Sequence, residues 1–91
     1  MGLEWRIDNV QRLRGQSFRW KDYYRRSESW DHDHCAACWA KFMLAEGCLT
    51  QGYAVTQECD HGEDYEWVCD KCFRDLSEIM DWNIVTATPG T

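Results

Sequence analysis

Two Cys-x-x-Cys pairs, Cys35-Ala36-Ala37-Cys38 and Cys69-Asp70-Lys71-Cys72, decide the fold of this 91-residue chain, and 30 residues separate them. Two residues between paired cysteines allow both sulfurs to face one tetrahedral centre, and two such pairs supply four ligands. A chain of this length builds a hydrophobic core that is only marginally sufficient by itself. The sequence therefore predicts a structural Zn²⁺ site whose ligands are the four paired cysteines.

The N-terminal stretch and the remaining cysteines fit a reducing compartment. Residues 1–6 lack the apolar core of a secretory signal, and no apolar run approaches the roughly 18 residues of a membrane span. We therefore expect a cytoplasmic protein that does not bind membranes. In the reducing cytoplasm thiols stay reduced and bind metal more readily than they form disulfides. Outside the pairs, Cys48 is expected to be a buried small hydrophobe and Cys59 a loop thiol.

Two elements are predicted before the first pair. Asp8 is the predicted N-cap of a short helix in which Val10 and Leu13 lie at helical spacing, with Gly15 as its end. Phe18 and Trp20 alternate with charged residues, which predicts a half-buried strand. Together they form a predicted helix–strand arm.

Four further elements are predicted after the first pair. Residues 40–46 predict one or two helical turns, and residues 50–57 and 65–69 predict the strands of a β-hairpin. Asp70 is the predicted N-cap of a C-terminal helix. The predicted buried face of this helix consists of Cys72, Leu76, Ile79 and Met80.

The order of a cysteine knuckle, a hairpin and a helix that begins with the last two ligands resembles the treble-clef zinc fingers. The resemblance covers residues 32–82 and implies a small, zinc-stapled α+β domain. It implies no particular function, because treble clefs serve many functions. A second resemblance, to small bacterial proteins, implies a bacterial or phage origin; it rests on the segments Trp30-Asp31-His32-Asp33-His34-Cys35-x-x-Cys38-Trp39-Ala40-Lys41-Phe42 and Trp67-Val68-Cys69-x-x-Cys72-Phe73.

Charge divides the chain into two parts. Residues 1–29, the basic arm, hold seven basic and four acidic side chains, whereas residues 30–91 hold three basic and twelve acidic ones, within a net charge of −6. We expect a single domain over 1–91, made of the basic arm, an acidic zinc module at 30–85 and a flexible tail at 86–91. Either the two parts attract and pack together, or the acidic module faces a basic partner. The acidic total disfavours general nucleic-acid binding.

The run Asp31-His32-Asp33-His34 directly precedes the first cysteine pair. One interpretation is that these side chains orient the knuckle through hydrogen bonds. Another is that they bind metal, either by replacing a thiolate of the four-cysteine site or by forming a second, catalytic metal site like those of HNH-type nucleases. In those nucleases, however, the Asp-His pair follows the first cysteine pair, whereas here it precedes it. The candidate additional or alternative ligands are His32, His34, Cys59 and His61.

Iron is a second candidate metal for the four-cysteine site. Rubredoxin-like sites usually place Gly after the second cysteine of each pair, so that backbone N–H groups approach the sulfur. Trp39 and Phe73 occupy those positions here. The sequence therefore favours zinc over iron.

Six tryptophans are many for a chain of this length. Trp39 and Trp67 flank the cysteine pairs and are expected to cover the metal site, whereas Trp30 and Trp82 are expected to be exposed and to anchor a partner. The predicted partner-binding residues are Trp30, Trp82, Glu63, Asp64 and Glu66.

Three functions remain open. The favoured one is a non-enzymatic, acidic protein-interaction module, such as an inhibitor or immunity protein that blocks a basic effector, for example a nuclease. The second is nucleic-acid binding through the basic arm, where Arg25 and Arg26 adjoin Trp20, Tyr23 and Tyr24. The third is a metal-dependent nuclease that uses His32 and His34.

Overall fold

The computed structural model describes residues 4–25, 27–56 and 64–85. They form a small α+β fold, as predicted. The helices are α1 (Glu4–Asn9), a short 3-10 helix (Gln11–Leu13) and α2 (Asp70–Met80). The strands are β1 (Ser17–Asp22), β2 (His32–His34), β3 (Lys41–Met43), β4 (Gln51–Val55), β5 (Trp67–Val68) and β6 (Asn83–Ile84).

A four-stranded sheet with the order β5-β4-β1-β6 forms the centre of the fold. The predicted strand around Phe18 is present as β1, and the predicted hairpin is present as the antiparallel pair of β4 and β5. β1 pairs antiparallel with β4, which places Phe18 opposite Val55, and it pairs parallel with β6. The basic arm therefore supplies an interior strand of the same sheet that β4 and β5 extend.

Each face of the sheet carries one packing layer. On one face, Phe73 of α2 stacks on Tyr53 with ring centroids 3.9 Å apart and meets the edge of Phe18. On the other, the hairpin of β2 and β3 inserts Phe42 against Trp67, with centroids 5.5 Å apart. Alternation along the strands produces these two apolar layers, because successive side chains point to opposite faces.

The predicted helical turns at 40–46 are wrong. Residues 41–43 form β3, which pairs antiparallel with β2 so that His34 lies opposite Lys41. The cysteine turn between the strands is closed by a 2.7 Å hydrogen bond from Cys35 N to Ala40 O. Pairing across this turn decides the conformation of the segment, and local helix propensity does not.

The first helix begins earlier than predicted. Asp8 lies inside α1, and the chain continues into the 3-10 helix, in which Leu13 is buried. Gly15 does end the helical segment, with a φ of +78° that favours glycine.

The second helix follows the prediction with two corrections. Its N-cap is Cys69, and Asp70 is the first helical residue. Cys72, Leu76 and Met80 are buried, but Ile79 is 41% exposed because it lies off the stripe that contacts the sheet. No helix in the described ranges is long and apolar enough to cross a membrane.

Candidate metal centre

Four cysteines meet at one point between the β2–β3 hairpin and the start of α2. Each of Cys35, Cys38, Cys69 and Cys72 offers its Sγ atom, and these atoms all lie within 4.8 Å of one another. Cys35, Cys69 and Cys72 are buried, and Cys38 is half-buried. We call these four residues the metal centre.

The spacing of the sulfurs fits a bound metal ion and excludes a disulfide. Cys38 Sγ and Cys69 Sγ lie 3.8 Å apart. Zn–S bonds of about 2.3 Å in a tetrahedron place the sulfurs about 3.8 Å apart, whereas a disulfide requires about 2.05 Å. The donor set of four cysteine sulfurs therefore suits Zn²⁺.

Backbone pairing brings the two cysteine pairs together. Cys35 forms an isolated parallel bridge with Trp67, and Ala36 N donates to Trp67 O at 2.8 Å. This pairing sets the first knuckle, residues 35–38, beside β5. Because β5 leads directly into Cys69 and α2, the second pair arrives at the same point.

Backbone N–H groups surround the sulfur of Cys35. Ala37 N, Cys38 N and Cys69 N lie 3.4, 3.5 and 3.4 Å from Cys35 Sγ. Trp39 and Phe73, which follow the two cysteine pairs, were expected to prevent backbone N–H groups from approaching the sulfurs. This expectation was wrong for the first knuckle. There Trp39 has a φ of 70°, the conformation that a glycine would take. The sequence argument against iron therefore loses its basis at this knuckle.

Proton sharing among the thiols follows from the same geometry. Hydrogen bonds from Cys69 and Cys72 hold the pKa of Cys35 far below its usual range. Donation to Cys35 raises the pKa of Cys69 to about 11, and it also raises the pKa of Cys72. Binding of a metal ion must displace the protons that these thiols share.

The sequence did not single out Arg6, which contacts the metal centre. Its Nη1 donates to Cys72 Sγ at 3.3 Å, and its Nη2 lies 3.1 Å from Asp75 Oδ2. The Arg6 hydrogen bond lowers the pKa of Asp75. The positive charge of the basic arm was the available signal, and packing of the arm on the acidic module was one of the two interpretations it left open, without naming a residue.

The histidines lie outside the four-cysteine cluster. Within residues 4–25, 27–56 and 64–85, that cluster is the one group of three or more candidate ligands close enough to hold a metal. His32 Nδ1 lies 3.0 Å from Asp31 Oδ1, and the rings of His32 and His34 are 5.3 Å apart. Their assignment as further ligands stays a prediction.

Asp33 orients the hairpin that carries the first knuckle. Its carboxylate accepts a 2.9 Å hydrogen bond from Tyr23 Oη and a second hydrogen bond from Trp30 Nε1. Tyr23 is buried, and its ring contacts Phe42 and Trp67. This carboxylate therefore joins β2 to Tyr23 and Trp30 by hydrogen bonds, and a role of the run 31–34 in orienting the knuckle stays a prediction.

Cys48 is a half-buried free thiol outside the cluster. Cys59, His61 and Glu63 lie outside the described residues, as does the predicted tail at 86–91.

Two of the predicted partner-binding residues are buried instead. Trp82 is 7% exposed, because its ring packs on Phe18 and its Nε1 donates to Leu13 O at 2.9 Å. Asp64 is 3% exposed and accepts from Lys21 Nζ and Tyr24 Oη, each at 2.7 Å. Neither side chain is available to a partner.

The two other described candidates are partly engaged within the chain. Glu66 lies 2.8 Å from Arg12 Nη2, and its side chain is 15% exposed. Trp30 is half-buried, and its ring meets the edge of Tyr65. Both remain predictions as partner contacts.

The two tryptophans next to the cysteine pairs have opposite environments. Trp67 is buried beside Cys35, as expected. The prediction for Trp39 was wrong, since its side chain is 64% exposed and lies with His34 at the rim of an open pocket. The left-handed backbone of the knuckle directs this ring away from the core.

Comparison with known proteins gives no family for the chain. No family model matches it, and no curated protein or solved structure does so.

Proposed function

We propose that this protein is a non-enzymatic module of treble-clef type, held together by Zn²⁺, that binds another protein. The observation that carries the zinc site of this proposal is the convergence of four cysteine sulfurs within 4.8 Å. Four protein ligands leave no position for water or substrate, which is typical of a structural zinc site and not of a catalytic one. The order of knuckle, hairpin and helix supports the treble-clef assignment.

Metal analysis tests the zinc site directly. Protein purified without chelator should contain one equivalent of zinc per chain, and the Cys72→Ser variant should contain much less. Cys48→Ser is the matched control, because Cys48 lies outside the cluster, and it should keep its zinc. Iron in place of zinc, or full zinc content in Cys72→Ser, would contradict the assignment.

A partner with a basic surface is supported by the distribution of charge. The net charge is −6, and several cations of the basic arm are engaged inside the molecule: Arg6 with Asp75, Arg12 with Glu66, and Lys21 with Asp64. A surface with excess negative charge attracts cationic partners and accelerates their association. We therefore favour an inhibitor or immunity protein for a basic effector such as a nuclease.

Trp39 is the proposed anchor for that partner. An exposed tryptophan on a rigid turn is typical of interface hot spots. This role replaces the one predicted for Trp82, whose ring is buried.

Affinity measurements with two variants test the interaction. Zinc-loaded protein should capture a basic protein from the source cell at low salt, and added salt should weaken the complex. With the purified partner, Trp39→Ala should lower affinity by about 2 kcal/mol, the scale of a hot-spot residue. Trp5→Ala is the control, since Trp5 is also exposed. Failure to capture any protein, or unchanged affinity for Trp39→Ala, would refute this role.

Nucleic-acid binding is the alternative that a surface feature favours. Trp20 is 43% exposed and lies 4.8 Å from the ring of Tyr53, which forms an aromatic surface on the strand of the basic arm. A mobility shift with single-stranded DNA or RNA that weakens steeply with salt would support it.

For the nuclease alternative, His34→Ala at unchanged zinc content should abolish cleavage.

A further inference from the structure

Arg6 of α1 contacts α2 at the metal centre through both terminal nitrogens of its guanidinium group. Arg6 donates through Nη1 to Cys72 Sγ at 3.3 Å, and Nη2 lies 3.1 Å from Asp75. Its side chain is only 11% exposed. The planar guanidinium thus bridges a cysteine in the first turn of α2 and a carboxylate one turn later.

A second contact fixes the same arm against the first knuckle. Asn9 Nδ2, at the end of α1, donates to Ala37 O at 2.7 Å. Ala37 lies between the first two cysteines. Two side chains of α1, Asn9 and Arg6, therefore hold this helix against both cysteine pairs of the metal centre.

The charge of the loaded site gives this contact a role. Four thiolates around Zn²⁺ carry a formal charge of −2, and buried charge is costly unless it is paired or hydrogen-bonded. Cys35 Sγ receives three backbone N–H contacts, whereas Cys72 Sγ receives the cationic Arg6 side chain. Hydrogen bonds between charged groups are stronger than neutral ones.

We propose, on the basis of the proposed zinc site, that Arg6 is a positioning residue of the metal centre, which orients Cys72, offsets the charge of the four thiolates and slows loss of the metal. Groups that hydrogen-bond to metal ligands typically change metal affinity by about 10- to 100-fold when they are removed. Through this contact the docking of α1 and retention of the metal reinforce each other.

A purely structural role makes a different prediction. If Arg6 only anchors α1 through Asp75, then Asp75→Asn should have the same effect as Arg6→Gln. If Arg6 acts on Cys72, Asp75→Asn should have much the smaller effect, because the Nη1 contact to sulfur remains.

The experiment measures transfer of zinc from the loaded, full-length protein to a chromogenic chelator at fixed pH and salt. Arg6→Gln should accelerate release by about 10- to 100-fold, and Arg6→Lys should have an intermediate effect because it keeps the charge and loses the fork. Arg12→Gln is the matched control, since Arg12 also belongs to the basic arm but pairs with Glu66. It should release zinc at the wild-type rate.

A spectroscopic measurement separates positioning from loss of a ligand. The Co²⁺-substituted Arg6→Gln protein should keep the intensity of its thiolate-to-cobalt charge-transfer bands, which reports four sulfur ligands, while its metal is lost faster. If Arg6→Gln fails to fold, Arg6→Lys is compared with Arg12→Lys in the same assay, and a faster release only in Arg6→Lys supports the proposal.

Three outcomes would overturn it. The first is release from Arg6→Gln, or from Arg6→Lys where that variant stands in, at the wild-type rate. The second is equal acceleration in the matched Arg12 variant, and the third is equal acceleration in Asp75→Asn. Wild-type protein that contains no zinc would refute the proposed function itself, which the zinc content reports before any variant is compared.

Discussion

At the scale of single residues, Trp39 combines two features that oppose folding. Its backbone has a φ of 70°, a left-handed conformation that costs a non-glycine residue about 1–2 kcal/mol. Its ring is largely exposed, so little burial compensates for that cost. A strained and exposed aromatic residue contributes little to stability, which is why we assign it to recognition.

The Trp39 backbone gives a prediction for stability. Trp39→Gly should be more stable than Trp39→Ala by about 1 kcal/mol, because glycine adopts the left-handed conformation without strain and alanine does not. Urea unfolding of the zinc-loaded variants measures the difference. Since both variants lack the ring, equal stability would mean that the turn relaxes to a negative φ.

Tyr23 gives a prediction for pH dependence. Burial and the hydrogen bond to Asp33 raise the pKa of this phenol above its ordinary value of about 10. The folded state therefore binds the proton more tightly, and the stability that Tyr23 contributes is complete below pH ~10 and is lost as the pH rises toward the folded-state pKa. Tyr23→Phe should cost about 1–2 kcal/mol at neutral pH.

The comparison of free energies of unfolding between pH 8 and 11 tests the sign. The stability advantage of the wild type over Tyr23→Phe should shrink as the pH passes about 10. Tyr24→Phe is a control with a smaller cost, because Tyr24 is more exposed and Asp64 keeps its ion pair with Lys21. An advantage that stays constant would show that Tyr23 titrates normally.

The four metal-centre cysteines were predictable because their spacing is itself a geometric constraint. Arg6 and Tyr23 were not, since their partners lie 66 and 10 residues away and depend on how the elements pack. Trp82 was misjudged for the same reason. Its position near the end of the sequence favours exposure, but the parallel pairing of β6 with β1 brings it beside Phe18.

At the scale of elements, β1, β4, β5 and α2 followed from local patterns, whereas β2, β3 and β6 did not. Residues 40–46 contain good helix formers, and a three-residue strand is too short to show alternation. What makes this segment a strand is the return of the chain after the first knuckle, where Cys35 N bonds to Ala40 O. That constraint is not visible in composition.

The crossing of the β2–β3 hairpin over the sheet depends on Gly52. A Cβ atom there would lie 2.6 Å from Cε1 of Phe42, which is fully buried and cannot move aside. Gly52→Ala should therefore destabilise the protein by about 1–3 kcal/mol, measured by urea unfolding. In a Phe42→Leu background the cost of Gly52→Ala should fall, and an unchanged cost would exclude this clash as the cause.

At the scale of the whole molecule, the basic arm is part of the fold's core. β1 lies between β4 and β6, and the ion pairs of Arg6, Arg12 and Lys21 join residues far apart in the chain. The uneven charge of the sequence therefore serves packing. Salt should weaken these contacts only partly, because Arg6 and Asp64 are shielded from solvent.

The metal centre connects the two layers on either side of the sheet. Cys35 and Cys38 belong to the β2–β3 hairpin, and Cys69 and Cys72 begin α2. Apart from the metal, the hairpin is joined to β5 by the pairing of Cys35 and Ala36 with Trp67, and α1 contacts both cysteine pairs through Asn9 and Arg6. Structural zinc supplies on the order of 10 kcal/mol of apparent binding free energy. Loss of that free energy should exceed the whole free energy of unfolding of so small a domain.

Removal of zinc should therefore unfold the whole protein and not only the knuckles. A strong chelator should abolish the near-ultraviolet circular dichroism of the buried Trp67 and Trp82, and added zinc should restore it under reducing conditions. Cys48→Ser should respond like the wild type, since this thiol lies outside the metal centre. Retention of the native spectrum after complete loss of zinc would mean that the sheet and its two aromatic layers fold without the metal, so that the four cysteines would serve another purpose.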